Sequence, residues 1–516
     1  MHQSYLGIGF LGLTFGLGSC AGSVTDHQNQ GPNIIYILAD DLGYGDLGCY
    51  GQTKIETPNI DRLAATGMIF TDHYTGSPVC APARAVLLTG LHSGQSQVRG
   101  NDEWGQRGDV WNYRAMIADS TLEGQRPLKA GTVTIGTLLQ SAGYKTAVVG
   151  KWGLGAPHTE GVPNKQGFDY FFGYNCQRQA HTYYPLHLWE NDRRVYLEND
   201  TVAPHTVLNE EDDPYEMSSY APFELNSYAP DLMFDAITGF VQDNKDNQFF
   251  LYWATPIPHV PLQAPREWVD YYVEKFGDEE PYLGERNYFP HRYPRAAYAA
   301  MVSYLDHNVG ILVQQLKDLD IYDNTLIIFT SDNGPSFNGG TDSPWFNSGG
   351  LFNEERGYGK GYLHEGGIRV PMIASWPAVI KQGSVTGHIS VFYDVLPTLT
   401  DITGIDTPEF TSGTSFFPTM IGEKQPQPEY LYWEFPANGG QMAVRMGKWK
   451  ALRKDMHRGN IEWELFDLES DQAETKDISS EHPEVIAEVE EIVKREHTVP
   501  DNNNWKYEFY TPITKD

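Results

Sequence analysis

The sequence predicts an α/β protein with a large mixed, mostly parallel sheet and a small C-terminal antiparallel-sheet subdomain. From residue 31 to about residue 425, strand-like runs alternate with helical patterns, which is typical of a parallel sheet covered on both faces. From about residue 426, short strand-like runs separated by turns replace that alternation. With 516 residues, 40% of them hydrophobic, the chain is long enough to bury the core that this arrangement needs.

The elements of the larger part follow in chain order. The first strand is predicted at 33–38, an apolar and β-branched run. A helix comes next, because Pro58 suits a first helical turn and Gly67 suits the position just past a helix end. Hydrophobic periodicity predicts the others: helix 132–142, strand 146–149, strand 249–253, helix 296–319, strand 326–330, strand 370–374 and a helix from Asp394.

The C-terminal part has a different pattern. Its predicted elements are strands 430–435, 442–446, 449–453 and 464–467 and an acidic amphipathic helix 483–494. We expect a main domain at 31–425 and a C-terminal subdomain at 426–516. Two polar stretches rich in Pro and Tyr, 200–230 and 275–295, are predicted loops on the side where a substrate would bind.

The N-terminal segment predicts export. Residues 6–18 are apolar and Gly-rich but too short to span a bilayer as a helix, which is typical of a secretory signal. The sequence LGSC at 17–20 looks like a bacterial lipoprotein cleavage box, although no Lys or Arg precedes it. We expect a signal peptide at 1–19, a lipid on Cys20, a tether at 20–30, and a periplasmic or outer-membrane-anchored bacterial protein. The alternative for Cys20 is a small residue beside an ordinary cleavage site.

The charge balance limits the partners. Lys and Arg number 37 and Asp and Glu 68, so the formal net charge is −31. Such a surface repels nucleic acid and disfavours anionic lipid, so we expect no nucleic-acid partner and no membrane contact except a lipid on Cys20. A local cluster of cations can still bind a small anion inside a cleft. Four cysteines form no disulfide framework, and Cys49 and Cys176 either pair or stay reduced.

Carboxylates follow two of the predicted strands. Asp40 and Asp41 come directly after the first strand, and Asp332 and Asn333 follow strand 326–330. Ligands of open α/β sheets bind outside the carboxyl ends of the strands. Adjacent carboxylates repel each other unless a cation neutralises them, and all-oxygen ligands suit Ca²⁺ or Mg²⁺. The two motifs together indicate a metal site, whereas each alone is more typical of a turn.

A third motif centres on Cys80. Pro82 can start a helix, which would put Cys80 at a helix N-terminus with Arg84 one turn along. That environment suits a nucleophile and an anion. The alternative is a buried cysteine that merely precedes a helix.

These motifs carry a family resemblance. The sequence PVCAPAR at 78–84, continuing to LLTG at 87–90, resembles the first signature of the type I sulfatases. GYKTAVVGKW at 143–152 resembles their second signature, and ELFDL at 464–468 resembles their C-terminal segment. The resemblance runs from about residue 31 to the end of the chain. It implies the alkaline-phosphatase-like sandwich fold and hydrolysis of sulfate esters.

The resemblance also implies the chemistry of Cys80. In the family, this cysteine is oxidised to formylglycine (3-oxoalanine), so a formylglycine-generating maturation enzyme is an expected partner. One hydroxyl of the hydrated aldehyde attacks sulfur, and the other later expels sulfate. The implied Ca²⁺ ligands are Asp40, Asp41, Asp332, Asn333 and the modified Cys80.

Four further roles are carried over from the family by motif. The resemblance implies that Arg84 holds the formylglycine hydrate and that Lys151 binds the sulfate. His259, in the run TPIPH at 255–259, matches the histidine near the leaving oxygen. Lys360, in the run GKG at 359–361, matches the second sulfate-binding lysine.

One position departs from the family pattern. Many members have a histidine two places after the lysine of the second signature, where this chain has Gly153. We expect His181 to reach the site and replace that imidazole as a catalytic base, or else to bind substrate. Its neighbours Gln177 and Arg178 are also candidates for substrate binding.

The predicted function is hydrolysis of a sulfate ester on a sulfated carbohydrate. Export, long polar loops and 13% aromatic residues fit a glycan better than a small aryl sulfate. One alternative is a phosphodiester or phosphonate-ester hydrolase of the same superfamily, and another is a catalytically dead glycan-binding lipoprotein. Candidate sugar platforms are Trp104, Trp111, Trp189 and Trp345.

Overall fold

The structure is a computed structural model that describes residues 1–2, 31–352 and 356–507. The predicted signal peptide beyond its first two residues, Cys20 and the tether up to residue 30 lie outside the described residues. Among the described residues, no helix combines the length and the apolar character needed to cross a membrane.

The main sheet is mixed, as predicted. Its order is β10-β2-β9-β8-β1-β7-β3-β4-β5-β6, and β11 pairs with β2. The central strands β8, β1, β7, β3 and β4 are parallel to one another, while β9, β5 and β6 form antiparallel pairs towards the edges. The strands are β1 (Asn33–Ala39), β2 (Met68–Tyr74), β3 (Lys145–Lys151), β4 (Tyr170–Tyr174), β5 (His187–Glu190), β6 (Arg193–Tyr196), β7 (Phe249–Ala254), β8 (Thr325–Ser331), β9 (Arg369–Ser375), β10 (Ser384–Thr386) and β11 (Ser390–Val391).

Helices cover both faces of this sheet. The helices are α1 (Pro58–Ala65), α2 (Cys80–Thr89), α3 (Tyr113–Ala118), α4 (Ile135–Ser141), α5 (Ala229–Asn244), α6 (Arg266–Phe276), α7 (Pro294–Asp318), α8 (Ser343–Phe346), α9 (Glu365–Ile368), α10 (Val395–Thr403), α11 (Phe417–Met420) and α12 (Pro483–Glu496). Ile34 and Tyr36 of β1 share one core with α2, α4 and α10. Ile35 and Ile37 share the other core with α1, α5, α6 and α7. Every residue of β1 is buried, as expected for a parallel strand covered on both faces.

The C-terminal strands form a second, antiparallel sheet. It consists of β12 (Leu431–Phe435), β13 (Gln441–Met446), β14 (Trp449–Arg453) and β15 (Glu464–Asp467), paired in chain order. Leu431 and Trp433 pack into the core that contains α2. Tyr432, on the opposite face, packs with Val489 and Val493 of α12. The small sheet therefore lies between the main core and α12.

The predicted elements are present, with shifted ends. The helix predicted from residue 132 begins at Ile135, because Thr134 and Thr137 form a capping box there. The helix predicted from Asp394 begins at Val395, after a short 3-10 turn. Elements that the sequence did not predict are the strands β2, β4, β5, β6, β10 and β11 and the helices α3, α5, α6, α8, α9 and α11.

Candidate active site

The candidate site lies at the carboxyl ends of neighbouring parallel strands. Asp40 and Asp41 follow β1, Asp332 follows β8, Lys151 ends β3, and His259 lies beyond β7. These strands are adjacent in the order β8-β1-β7-β3. Because parallel strands end at one edge of the sheet, residues far apart in sequence meet where such sheets bind ligands.

Three carboxylates and one amide form the floor of the site. Asp40, Asp41 and Asp332 are each at most 2% exposed. The Asp41 backbone has φ 65°, and its N–H donates to Asp332 Oδ1 at 3.2 Å. Asn333 Nδ2 donates to Asp41 Oδ1 at 2.8 Å. Buried carboxylates this close together need cations to neutralise them.

Cys80 lies among these carboxylates and two lysines. It is the first residue of α2 and is buried, as the sequence predicts for a cysteine at a helix N-terminus. Its Sγ lies 3.3 Å from Asp40 Oδ1 and 3.5 Å from the Nζ atoms of both Lys151 and Lys360. A group at position 80 therefore faces both a cluster of carboxylates and two positive charges.

Arg84 lies one helical turn beyond Cys80 and is fully buried. Its Nη2 lies 2.8 Å from Asp332 Oδ2 and 3.3 Å from Asp40 Oδ2, and its Nη1 donates to the carbonyl of Lys151. The guanidinium thus joins the ends of β1, β8 and β3. Its hydrogen bonds orient the carboxylates, and through them the group at position 80.

The two lysines supply the remaining positive charge. Lys151 Nζ lies 2.5 Å from Asp40 Oδ2, and Lys360 Nζ lies 2.6 Å from Asp41 Oδ1. Burial alone would lower the pKa of each ammonium, but the nearby acidic groups together, with Asp40 the largest of them for Lys151 and Asp41 for Lys360, outweigh burial and raise it. Both lysines therefore carry a charge at neutral pH, which suits the binding of an anion.

The same charges act on the carboxylates. Burial alone would raise the pKa of Asp40, but Lys151 and the other nearby cations lower it well below its usual range. Burial raises the pKa of Asp41, with Lys360 opposing. Burial and the charge of Asp40 raise the pKa of Asp332 to about 6.

The thiol of Cys80 is neutral in this environment. Burial, followed by the charge of Asp40, raises its pKa to about 12. Because the thiolate is the nucleophilic form of cysteine, an unmodified Cys80 is a poor nucleophile here at neutral pH.

His259 presents a nitrogen without a proton to the site. Its Nδ1 lies 2.5 Å from the carbonyl oxygen of Val260, to which an N–H must donate. Burial, together with the charges of Lys360 and Lys151, lowers its pKa well below the usual value. The imidazole is therefore neutral, and Nε2 lies 3.7 Å from Asp41 Oδ2.

His181 stacks on His259. The ring centroids are 5.5 Å apart and the planes differ by 10°. Burial and the neighbouring His259 lower the pKa of His181 well below its usual value. The structure thus brings His181 beside the site, and its catalytic or binding role stays a prediction.

Gln177 fills the space beside Gly153. A Cβ atom built on Gly153 would lie 2.7 Å from Gln177 Nε2, and Gly153 has φ 76°. The left-handed backbone disfavours a histidine at this position, and the contact means that Gln177 would have to move to admit its side chain. The Gln177 Nε2 atom is buried and has no hydrogen-bond partner in the described chain.

The predicted substrate-binding residue Arg178 lies directly behind the pocket wall, with its guanidinium 5.4 Å from the ring of Trp111. Its guanidinium pairs with Glu103 and donates to the carbonyl of Leu122 at 3.2 Å. Arg178 is not among the residues that line the pocket above Cys80. In this structure it supports the pocket through Glu103, which does line it.

A pocket of about 500 Å³ opens above Cys80. Its walls come from the loop after α2, the segment 177–181, the second polar loop, the turn after β12 and the C-terminal segment. The lining residues are Cys80, Gly100, Asn101, Asp102, Glu103, Gly105, Trp111, Gln177, His181, His259, Tyr288, Lys360, Pro436, Ala437, Asn504 and Trp505. Its size is that of a small-molecule site.

Of the four predicted sugar platforms, only Trp111 lines this pocket. Trp189 is 3% exposed and donates to Glu123, so it belongs to the core. Trp345 packs against Phe276 and Phe346. Trp104 lies under the guanidinium of Arg107.

The pocket contains aromatic residues that the sequence did not single out. Trp505 comes from the C-terminal segment, and Tyr288 from the second predicted polar loop. The predicted polar loop at 275–295 was the only sequence signal for Tyr288, and none pointed to Trp505. Neither residue belongs to a periodic element.

The floor of the site fits a divalent cation. Ligand atoms of Asp40, Asp41, Cys80 and His259 all lie within 4.8 Å of one another. Asn333 Oδ1 is buried and has no hydrogen-bond partner in the described chain. A buried amide oxygen beside carboxylates is a ligand that Ca²⁺ accepts.

The structure decides whether Cys49 and Cys176 pair or stay reduced. Within the part of the chain that the structure describes, Cys49, Cys80 and Cys176 are free thiols. Cys49 and Cys176 therefore do not pair.

Comparisons with known proteins identify the family of this chain. A family model described as Sulfatase matches residues 32–405, and one described as N-sulphoglucosamine sulphohydrolase, C-terminal, matches residues 353–499. An N-acetylgalactosamine-6-O-sulfatase of Bacteroides thetaiotaomicron is 30% identical over 524 residues, covering 90% of this chain and 93% of the relative. Human arylsulfatase A is 34% identical over 430 residues, covering 81% and 74%.

Solved structures also share the fold. Ps i-CgsB, in complex with k-i-k-neocarrahexaose, superposes with a TM-score of 0.71 at 29% identity, covering 93% of this chain and 95% of that one. A Bacteroides thetaiotaomicron protein labelled 6S-sulf, from a locus for glycosaminoglycan metabolism, superposes with a TM-score of 0.70 at 26% identity, covering 90% and 99%. The match of the Sulfatase model to most of the chain, together with these relatives, shows that the chain belongs to the sulfatase family of sulfuric ester hydrolases.

Proposed function

We propose that this sulfatase hydrolyses a sulfate ester on a sulfated carbohydrate, with formylglycine at position 80 and one bound Ca²⁺. The observation that carries the proposal is the position of Cys80. Its sulfur lies 3.5 Å from each of two ammonium groups and 3.3 Å from a carboxylate. A sulfate group held by Lys151 and Lys360 would lie against whatever group position 80 carries.

The proposed modification fits the state of the thiol. Since burial and Asp40 raise the pKa of Cys80 to about 12, the unmodified side chain is a weak nucleophile at neutral pH. Formylglycine would supply a hydrated aldehyde, one hydroxyl of which attacks sulfur while the other later expels sulfate. A formylglycine-generating maturation enzyme is therefore a required partner under this proposal.

The proposed Ca²⁺ would be held by Asp40, Asp41, Asp332, Asn333 and the modified Cys80. It would supply a positive charge that polarises the sulfate oxygens. Arg84 would keep Asp40 and Asp332 in place, because its guanidinium contacts both carboxylates.

His259 would protonate the oxygen of the leaving group. In the neutral ring, Nδ1 donates to Val260, so Nε2 is the atom free to take up a proton. An anionic sulfate between the two lysines would offset their charges and raise the proton affinity of Nε2. The protonated Nε2 would then donate to the departing alkoxide, which an unactivated sugar needs.

The carbohydrate part of the proposal is supported by the relatives and by the pocket. The relatives include an N-acetylgalactosamine-6-O-sulfatase, and Ps i-CgsB was solved with k-i-k-neocarrahexaose. The pocket of about 500 Å³ has Trp111, which is 69% exposed, in its wall. Aromatic rings of this kind pack against the C–H faces of sugars.

The test is sulfate release from a purified chain whose position 80 has been checked by mass. The protein is co-expressed with a formylglycine-generating enzyme and assayed on sulfated monosaccharides, carrageenan and chondroitin oligosaccharides, an aryl sulfate and a phosphodiester. We expect sulfate release from a saccharide, with loss of release in Cys80→Ala and after removal of Ca²⁺. Turnover of the phosphodiester alone, or no turnover by a protein confirmed as formylglycine, would overturn the proposal.

We further propose that the chain is exported and carries a lipid on Cys20. The sequence of residues 6–20 supports this. Fatty-acid labelling of the expressed protein, lost in Cys20→Ala, is the expected result, and labelling that persists in that variant would contradict it.

A further inference from the structure

The second polar loop contains an unfavourable backbone turn. Asn287 and Tyr288 have φ values of 64° and 67°, in the left-handed region that bulky residues rarely adopt. The Tyr288 N–H donates to His205 Nδ1 at 2.9 Å, and Tyr282 Oη donates to the carbonyl of Asn287. Such turns persist where the surroundings hold them, and they concentrate at functional sites.

This turn puts the Tyr288 ring in the pocket. The ring lines the pocket above Cys80. Its centroid lies 5.0 Å from that of His181 and 5.8 Å from that of His259, edge-on to both rings. The second polar loop thus supplies this part of the wall, and His205 of the first polar loop holds it by accepting from the Tyr288 N–H.

The Tyr288 side chain is half-buried and lines the pocket, and its hydroxyl makes no hydrogen bond to another described residue. Burial raises the pKa of Tyr288 to about 12, with Lys360 opposing and Asp41 adding to the shift. The hydroxyl therefore keeps its proton at neutral pH and is available as a donor. The charges that act on it are those at the floor of the site.

We propose that Tyr288 is a specificity-determining residue, whose hydroxyl hydrogen-bonds an oxygen of the sugar that carries the sulfate. The inference rests on the proposed function and names one contact to the leaving group. The Tyr288 ring lies 5.8 Å from the ring of His259, centroid to centroid, so a hydroxyl donor here would fix the sugar relative to the imidazole proposed to protonate its oxygen. Tyr288 would thus act on the sugar, while the two lysines act on the sulfate.

The test measures the effect of Tyr288 on sugar recognition and on sulfate binding separately. Tyr288→Phe keeps the ring and removes only the hydroxyl. For the saccharide sulfate that the wild type turns over fastest, we expect kcat/KM to fall on the order of tenfold, as for the loss of one hydrogen bond to a buried partner. The inhibition constant of inorganic sulfate should stay within about twofold, because the lysines are untouched.

Two further variants test the support of Tyr288 and provide a control. His205→Ala removes the acceptor of the Tyr288 N–H, and we expect it to lower saccharide turnover without changing inhibition by sulfate. Tyr215→Phe is the matched control, because its hydroxyl bonds Glu280 at the surface; it should match the wild type.

The outcomes are distinct. Unchanged saccharide kinetics in Tyr288→Phe, with an active wild type, would overturn the inference and leave the proposed function intact. An equal loss of sulfate inhibition would also overturn it, because Tyr288 would then act on the floor of the site. A wild type that releases no sulfate from any saccharide would overturn both proposals.

Discussion

Gly153 shows how one residue shapes the site. We expect Gly153→Ala to lower the free energy of unfolding by about 1–2 kcal/mol for the left-handed backbone, with a further loss for the contact. That contact is a Cβ 2.7 Å from Gln177 Nε2. Sulfate release should also fall, because Gln177 lines the pocket and must move. Urea unfolding and sulfate release measure the two effects.

A second glycine provides a matched control for the effect of the left-handed backbone on the free energy of unfolding. Gly422 has φ 80°, and an added Cβ would meet nothing within 4 Å. Gly422→Ala should therefore show the strain without the contact. In a Gln177→Ala background, the extra loss of Gly153→Ala should disappear. Equal losses at the two glycines in the wild-type background would contradict the steric explanation.

The sequence predicted the residues at the floor better than those in the walls. Asp40, Asp41 and Asp332 were found because each directly follows an apolar strand, and parallel strands end together. Tyr288 and Trp505 belong to no periodic element, so only the folded loops bring them to the pocket. Arg178 was proposed for substrate binding from its neighbourhood in sequence, and in the fold its guanidinium pairs with Glu103 behind the pocket wall, so its contact with substrate stays a prediction.

At the scale of elements, His73 makes β2 sensitive to acid. The imidazole is fully buried beside Phe392 and Phe416, and its Nδ1 lies 2.8 Å from Ser390 Oγ. Burial lowers the pKa of His73 from 6.5 to about 3. Since the unfolded chain then binds the proton more tightly, the contribution of this group to stability is full above pH 6.5 and is lost as the pH falls towards 3.

We therefore expect His73→Gln to weaken the pH dependence of stability. Between pH 6.5 and 4, the free energy of unfolding of the wild type should fall more steeply than that of the variant, by about 1.4 kcal/mol per pH unit. Urea unfolding at several pH values measures this difference. Parallel curves for the two proteins would show that His73 is protonated in the folded state.

Two physical causes explain several of the strands that the sequence missed. β2 carries Thr71, Asp72 and His73 in its middle, so its apolar pattern is broken, although pairing with β9 and β10 holds it in the sheet. β5 and β6 are four residues each, too short for periodicity to show. Strands buried on both faces, such as β1 and β8, gave a clear signal because each contains an unbroken run of at least four apolar residues.

At the scale of the molecule, the C-terminal sheet is part of the main core and of the site. Trp433 Nε1 donates to the carbonyl of Thr75 at 2.8 Å, and its ring lies in the same core as Tyr36. Pro436 and Trp505, which follow in sequence, line the pocket. The sequence predicted a separate antiparallel sheet but not this contribution to the site, because docking depends on surfaces that only the fold creates.

Lys450 links this sheet to the rest of the protein through buried charges. Its Nζ lies 3.0 Å from Glu365 Oε1 and 2.8 Å from Glu474 Oε1, and the three side chains are at most 2% exposed. Lys450→Met keeps much of the volume but leaves two buried carboxylates without this cation. We expect a loss of about 3–5 kcal/mol in the free energy of unfolding, the usual effect of breaking a buried ion pair.

The same variant tests whether the molecule unfolds as one unit. Lys448→Met is the matched control, because Lys448 pairs with Asp467 at the surface, and it should cost less than about 1 kcal/mol. Because the core is continuous from β1 to β12, circular dichroism and tryptophan fluorescence should report one coincident urea transition in both variants. Two separated transitions in Lys450→Met would show that the C-terminal sheet unfolds on its own, and that the buried charges rather than the shared core hold it to the site.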